Sequence, residues 1–170
     1  MPAVSYPPLL AEGFQEIKLW QLDALFLEPF AGQEAAAERR KYLIDRFRLW
    51  LDEFAALGLS ADIWLDGSFT THKPEPSDMD IVVIVDFAAV DALSDRAKTM
   101  FDQLLNERGI VRIRWGCDVY FIDQADKEQL AYWRDTFGRD SRSLQQKGLY
   151  HLRVAPPALK PVLLPALPNV

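Results

Sequence analysis

The stretch that decides the fold is DMDIVVIV, residues 78–85. Apart from its two aspartates the run is apolar and largely β-branched, the pattern of a central strand that is buried on both faces. A shorter apolar stretch, IWL at residues 63–65, precedes it and is typical of another strand. The residues between, 66–77, include a glycine and two prolines and therefore indicate a loop. We expect two strands that bracket this loop.

Outward from these strands, apolar residues recur at helical spacing. We expect three helices, over residues 33–57, 88–107 and 127–137, which stop at Gly58, Gly109 and Gly138. One or two further strands are expected within residues 110–122, and a last one over residues 150–154. This order predicts an α/β (α+β) fold, a small mixed β-sheet packed with helices.

The chain is expected to form one domain. Its 170 residues are enough to bury a core, and we assign residues 1–155 to a single domain that includes an N-terminal helical segment. The first ten residues are expected to form an extended arm. Residues 156–170 contain five prolines and are expected to form an irregular tail over the surface.

Composition narrows the class of protein. Hydrophobic residues make up 49% and charged residues 26%, the balance of an ordinary globular protein. The net charge of -6 argues against bulk DNA binding, which needs clustered cations. The single cysteine, Cys117, excludes an internal disulfide, and no apolar run is long enough for a membrane span. We therefore expect a cytoplasmic protein without a membrane partner.

Asp78 and Asp80 are the first candidates for a metal-binding or catalytic role. Side chains alternate along a strand, so the two carboxylates point to the same face and repel each other unless a cation lies between them. Mg²⁺ takes one or two carboxylates and completes its shell with water and substrate phosphates. The alternative is a pair of solvated carboxylates at a strand edge.

Gly67 and Ser68 suit a phosphate contact. Glycine lets the backbone approach a phosphate closely, and the serine hydroxyl can donate to its oxygens, although Ser68 also fits an ordinary turn. Asp118 offers a third carboxylate from a later strand, and it can lie beside Asp80 across the sheet. Its alternative is a buried polar residue satisfied by Arg112 or Arg114.

The pattern of these residues resembles that of a known group of enzymes. Gly67-Ser68, the following loop, Asp78-x-Asp80 and the later Asp118 resemble the polymerase-β-like nucleotidyltransferase superfamily, in particular its small stand-alone bacterial members. The match covers roughly residues 63–152. The resemblance implies two Mg²⁺ ions held by Asp78, Asp80 and Asp118, an NTP donor, for which we expect ATP, and nucleotidyl transfer to a hydroxyl.

The resemblance also suggests a biological setting. Such small proteins often belong to toxin–antitoxin or phage-defence modules, which makes a protein side chain or an RNA end the expected acceptor. Asp118 would receive the acceptor's proton. Lys147, with Arg139 and Arg142, could close on the triphosphate, although cations in a polar loop are usually only solvated. Trp20, Trp115 and Trp133 are candidates for a base-stacking platform or a partner surface.

A second hypothesis keeps the fold without the catalysis. Many relatives carry a helical second domain, for which we expect too little sequence here. Many also carry a basic residue soon after the Gly-Ser pair, whereas here Lys73 lies at a different offset. These departures favour an antitoxin or regulatory module that works by binding a protein partner. The complete set of carboxylates favours the enzyme, because a pure binding module has no physical reason to keep them.

Overall fold

The structure, a computed structural model, describes residues 5–139 and 146–156. Over these residues it contains five strands: β1 (Phe14–Ile17), β2 (Ala61–Asp66), β3 (Met79–Val85), β4 (Cys117–Asp123) and β5 (Leu149–Val154). The six α-helices described are α1 (Leu22–Phe26), α2 (Glu34–Ala55), α3 (Phe87–Asp91), α4 (Asp95–Leu105), α5 (Arg108–Trp115) and α6 (Lys127–Phe137). Short 3-10 turns cover Leu19–Gln21, Glu28–Phe30 and Gly67–Thr70.

The strands form one mixed sheet in the order β1-β5-β2-β3-β4. β2 is antiparallel to both of its neighbours, whereas β3 pairs with β4 in parallel and β1 pairs with β5 in parallel. The predicted α/β class with a mixed sheet is therefore confirmed. None of the helices within the described ranges has the length and apolar character needed to cross a bilayer.

The two faces of the sheet are covered unequally. One face packs against α2, α4 and α5, in a large core that includes Ile63, Ile81 and Val83. The opposite face carries a smaller cluster in which Val82 and Ile84 meet side chains of α6. Alternate residues of β3 thus enter two different cores, which is why this strand is apolar at nearly every position. The thinly covered face is the one that carries the polar site.

The helix predicted over residues 88–107 is wrong in its extent. The structure divides it into α3 and α4, because Ser94 begins a new helix by accepting a hydrogen bond from the Ala97 backbone N–H at 3.3 Å. Gly109 is not a stop signal. It is the second residue of α5, where a glycine disturbs the helix least.

One of the one or two strands expected within residues 110–122 is present, in the second half of that range. Residues 110–115 belong to α5, and only Cys117–Asp123 is extended. The β-branched residues suggested a strand, but Val111 and Trp115 are buried four positions apart while Ile113 is 83% exposed, which is helical and not alternating burial. Gly116, at φ 67°, ends this helix in the left-handed region.

The other strands and long helices agree with expectation. β2, β3, α2, α6 and β5 lie at the predicted places within a few residues. The segment that follows the N-terminal arm supplies β1 at Phe14–Ile17, an edge strand that the sequence did not indicate. The tail of residues 156–170 lies outside the described residues beyond Pro156, as does Arg142, so the predicted tail and domain limits remain predictions.

Candidate active site

Three aspartates lie side by side across neighbouring strands. Asp80 on β3 is the register partner of Asp66 on β2 and of Asp118 on β4. Directly paired residues point to the same face of a sheet, so the three carboxylates form one row on the face that α6 covers. The expected position of Asp118 beside Asp80 is confirmed. Asp66 is the member that the sequence analysis missed.

Asp80 lies at the centre of this acidic row. Burial raises its pKa to about 6, with further contributions from the negative charges of Asp78 and Asp118. Within the described ranges no hydrogen bond or ion pair holds its carboxylate. Such an arrangement of negative charge attracts a cation.

The backbone of Gly67 packs closely against the Asp80 carboxylate. A Cβ atom placed on Gly67 would lie 1.7 Å from Oδ2 of Asp80, and the residue has a φ of 76°, which other residues rarely adopt. The turn that begins at Gly67 therefore packs its backbone against the acidic row. Ser68 follows in the same turn and lines the adjacent cavity.

Asp78 lies just before β3 and is 6% exposed. Its Oδ1 accepts a hydrogen bond from the Ser77 hydroxyl at 2.6 Å, and its Oδ2 lies 2.6 Å from Nε of Arg112. Asp78 and Asp80 both line one cavity. The alternative of two solvated carboxylates at a strand edge is therefore wrong.

Asp66 forms a buried ion pair with Lys147. The Lys147 Nζ lies 2.6 Å from Oδ1 of Asp66, and both side chains are 7% exposed. Burial raises the pKa of Asp66, while the ammonium of Lys147 opposes that change. The alternative for Lys147, a solvated residue in a polar loop, is wrong. Its ammonium group instead lies against the acidic row, and Arg139 lines the same cavity.

Helix α5 supplies two arginines to the carboxylates. Arg108 binds Asp118 through Nε and Nη2, at 3.0 and 2.7 Å from Oδ1, while Arg112 pairs with Asp78. Arg114 pairs with Glu53. Asp118 is thus satisfied by an arginine, as its alternative role required, but by Arg108 and not by Arg112 or Arg114. This difference follows from the helical conformation of residues 108–115.

Helix α2 fixes the loop that follows the Gly-Ser pair. Arg40 is fully buried and donates to the carbonyl oxygens of Phe69, Thr71 and Lys73 at 2.8, 2.6 and 2.7 Å. Burial lowers the pKa of this guanidinium to about 10, which leaves it charged at neutral pH. Since three carbonyls converge on one side chain, Arg40 holds the turn in place from the core side.

A cavity of about 550 Å³ opens beside the acidic row. Its size suits a ligand as large as a nucleotide. Polar side chains line one part and aromatic ones another; they include Asp66, Asp78, Asp80, Ser68 and Lys147, and Tyr120, Tyr132, Trp133 and Phe137. Among the described residues Asp118 is not part of this lining, because Arg108 and Tyr120 lie against it.

The carboxylate oxygens of this site are the type of ligand that a hard divalent cation prefers. Mg²⁺ prefers carboxylate oxygens, and Asp80 and Asp78 offer them at the cavity. In residues 5–139 and 146–156, however, no group of three or more acidic, histidine or cysteine side chains converges closely enough to hold a metal. Two of the carboxylates face arginines, so a site with three carboxylate ligands requires α5 to release them.

The fold and the site define a small α/β protein in which Asp66, Asp78 and Asp80 line a cavity of about 550 Å³. The chain belongs to the family of unknown function DUF6932, whose model matches residues 2–153. Neither the curated proteins nor the solved structures include a match to the chain. Inference about function therefore rests on the geometry of the site.

Proposed function

We propose that this protein is a magnesium-dependent nucleotidyltransferase that transfers NMP from an NTP, first of all ATP, to a hydroxyl of a protein or RNA acceptor. The observation that carries the proposal is the row Asp66–Asp80–Asp118 beside the Gly67-Ser68 turn and the buried Lys147. The resemblance to polymerase-β-like enzymes adds to it. A toxin–antitoxin or phage-defence setting in the cytoplasm is part of the same proposal.

The residues would divide the work as follows. Two Mg²⁺ ions would be held by Asp78, Asp80 and Asp118 once Arg112 releases Asp78 and Arg108 releases Asp118. The ions would supply charge neutralisation of the phosphates and of the attacking oxygen. Ser68 and the Gly67 backbone would donate to phosphate oxygens, and Lys147 would face the triphosphate from beside Asp66. Each of these groups except Asp118 lines the cavity.

The reaction itself balances without any further reagent. The acceptor oxygen forms a bond to the α-phosphorus, the bond from that phosphorus to the bridging oxygen breaks, and pyrophosphate leaves. The hydroxyl proton would pass to Asp118, the base that the family resemblance implies. Because Arg108 now holds that carboxylate, the arginine must leave before Asp118 can accept the proton.

Metal-dependent pyrophosphate release tests the proposal. The protein is incubated with ATP, GTP, CTP or UTP, with Mg²⁺ and a mixture of RNA and protein acceptors, beside an Asp80→Asn variant and an Asp45→Asn control on the exposed surface of α2. Release that needs Mg²⁺ and Asp80 but not Asp45 supports the enzyme. No release with any NTP, from protein that remains folded, contradicts it.

One observation favours the second candidate, an antitoxin or regulatory module with little catalysis of its own. Arg108 and Arg112 already neutralise Asp118 and Asp78, so the acidic site can persist without a metal. In that case a protein partner should raise the melting temperature by several degrees, while Mg²⁺ and NTP should not. The same set of variants distinguishes the two candidates.

A further inference from the structure

An aromatic cluster on the α6 side of the cavity is left unused by the catalytic proposal. The rings of Trp133 and Tyr120 lie 4.3 Å apart at an interplanar angle of 46°. Trp133 also meets Tyr132 edge-on at 5.4 Å and Phe137 edge-on at 5.3 Å. All four rings line the same cavity as Asp80 and Lys147.

The cluster lies close to the carboxylates but not on them. Tyr120 is two residues from Asp118 along β4, which corresponds to about 7 Å along a strand. Its hydroxyl lies 3.5 Å from Oδ2 of Asp118, and its ring centroid lies 4.3 Å from that of Trp133. The aromatic surface thus begins about one side-chain repeat away from the acidic row. In a bound nucleoside triphosphate, the phosphates and the base would be separated by a distance of this order.

Packing alone does not account for every ring of the cluster. Tyr120 and Trp133 are partly buried against Val82, Ile84 and Phe137, and they contribute to the small core beneath α6. Tyr132, in contrast, is 58% exposed. An exposed tyrosine beside a half-buried tryptophan, with the two ring planes at 82° to each other, offers a planar ligand one ring face and an adjoining ring edge.

We propose that Trp133 and Tyr132 form a stacking platform for the base of a purine nucleotide whose phosphates lie at Asp80 and Lys147. The platform rests on the proposed function, because it names the donor that the same site would take. Stacking works through ring area and accepts any base with an aromatic face. Purines, having the larger face, should therefore bind better than pyrimidines.

The polar neighbours of the platform set the expected selectivity. Of the described residues of α6 and the loop after it, Thr136 and Arg139 are the polar side chains that line this cavity. Arg139 carries only donors, whereas the Thr136 hydroxyl can donate or accept, so the pair offers hydrogen bonds to either purine. We therefore expect ATP and GTP to bind within a few-fold of each other.

Calorimetric titration with Mg²⁺ tests the platform, using ATP, UTP and inorganic tripolyphosphate as the three ligands. Base stacking is worth about 1–3 kcal/mol, which corresponds to roughly 5- to 150-fold in affinity. ATP should bind tighter than tripolyphosphate by a factor in this range, with UTP between them. Tyr132→Ala and Trp133→Leu should each weaken ATP while leaving tripolyphosphate unchanged.

Trp20→Ala is the matched control, since Trp20 is 76% exposed and is not among the residues of the cavity. Trp133→Leu could disturb the small core, so Tyr132→Ala, at an exposed position, provides an independent test. Equal affinity for ATP and tripolyphosphate, or ATP binding that neither variant weakens, would overturn the platform.

The same titrations separate the platform from the enzyme. ATP binding that needs Mg²⁺ and Asp80 but not the aromatic rings contradicts the platform alone. ATP binding that needs the rings but ignores Mg²⁺ and an Asp80→Asn change supports the platform and contradicts the proposed enzyme. If neither ATP nor tripolyphosphate binds, both proposals are overturned.

Discussion

The Arg108 guanidinium holds the Asp118 carboxylate with two of its nitrogens, and its Nη2 lies 2.7 Å from Oδ1 and 2.8 Å from Oδ2. The same guanidinium lies over the Tyr120 ring at 4.0 Å. One arginine therefore connects the acidic row to the aromatic part of the cavity. Since a divalent cation would need the same carboxylate oxygens, arginine and metal compete for Asp118.

Removing this competitor should strengthen metal binding. Arg108 is 47% exposed, and ion pairs of that kind are worth up to about 1 kcal/mol, so Arg108→Ala should tighten Mn²⁺ binding by up to about fivefold. Mn²⁺ affinity can be measured by electron paramagnetic resonance. Arg114→Ala, which removes the pair with Glu53, is the control and should change nothing. Weaker Mn²⁺ binding in Arg108→Ala would contradict the competition.

The stability of the metal-free protein should fall as pH rises through the titration of Asp80. Its pKa is raised from 3.8 to about 6 in the folded protein, so the folded state binds more protons than the unfolded state between these values. The difference amounts to roughly 3 kcal/mol at most. Asp80→Asn should reduce this pH dependence to the part that comes from Asp66, whose pKa burial raises to about 7, and should raise the free energy of unfolding at pH 7.5, as urea titrations in EDTA would measure.

Metal stabilisation should show the opposite dependence on pH. A cation binds the ionised carboxylate, so the rise in melting temperature caused by Mg²⁺ should be small at pH 5 and larger at pH 7.5. In Asp80→Asn the rise should vanish at both values. A rise that is equal at the two pH values would show that Mg²⁺ acts elsewhere on the protein.

Gly67→Ala should damage the site more than a comparable glycine substitution. The new methyl group would meet the Asp80 carboxylate at 1.7 Å, in addition to the strain of a φ of 76°. Gly58 has a φ of 73° and nothing within 4 Å of its added Cβ, so Gly58→Ala measures the strain alone. We expect Gly67→Ala to cost about 1–3 kcal/mol more than this control and to weaken metal binding. Equal costs would contradict the close packing.

Lys147→Met should destabilise the fold, because Asp66 would lose its partner in a buried place. Removal of one member of a buried pair costs about 3–5 kcal/mol. The double change Asp66→Leu and Lys147→Met removes both charges and should recover most of that loss. Thermal unfolding of the unmodified protein, Lys147→Met and the double variant measures both the loss of stability and its recovery. Failure of the double variant to recover stability would mean that the ion pair is not the source of the loss.

The sequence predicted the central strand and most of the acidic site because local patterns determine them. The run at residues 79–85 is apolar on both faces, and alternation placed Asp78 and Asp80 correctly at one cavity. Asp66 escaped notice because its position depends on the register of β2 against β3. Antiparallel pairing across the loop of residues 66–77 brings Asp66 opposite Asp80, and this signal was available in the sequence.

The arginine partners could not be predicted in the same way. Ile110, Val111 and Ile113 favour a strand by their local preference, and the helix forms because Val111 and Trp115 gain burial against the core. A helix places Arg108 and Arg112 one turn apart, within reach of Asp118 and Asp78. Which arginine meets which carboxylate thus depends on tertiary packing, and so does the burial of Lys147 against Asp66.

The central claim is that Asp80 lies in a site for a metal-bound nucleoside triphosphate. Calorimetric titration of ATP into the protein, with and without Mg²⁺ and beside the Asp80→Asn variant, tests it most directly. The account predicts binding that requires Mg²⁺ and is lost in the variant, while the Asp45→Asn control binds as the unmodified protein does. Binding that is unchanged in Asp80→Asn, or no binding of ATP, GTP, CTP or UTP by the folded protein, would contradict it.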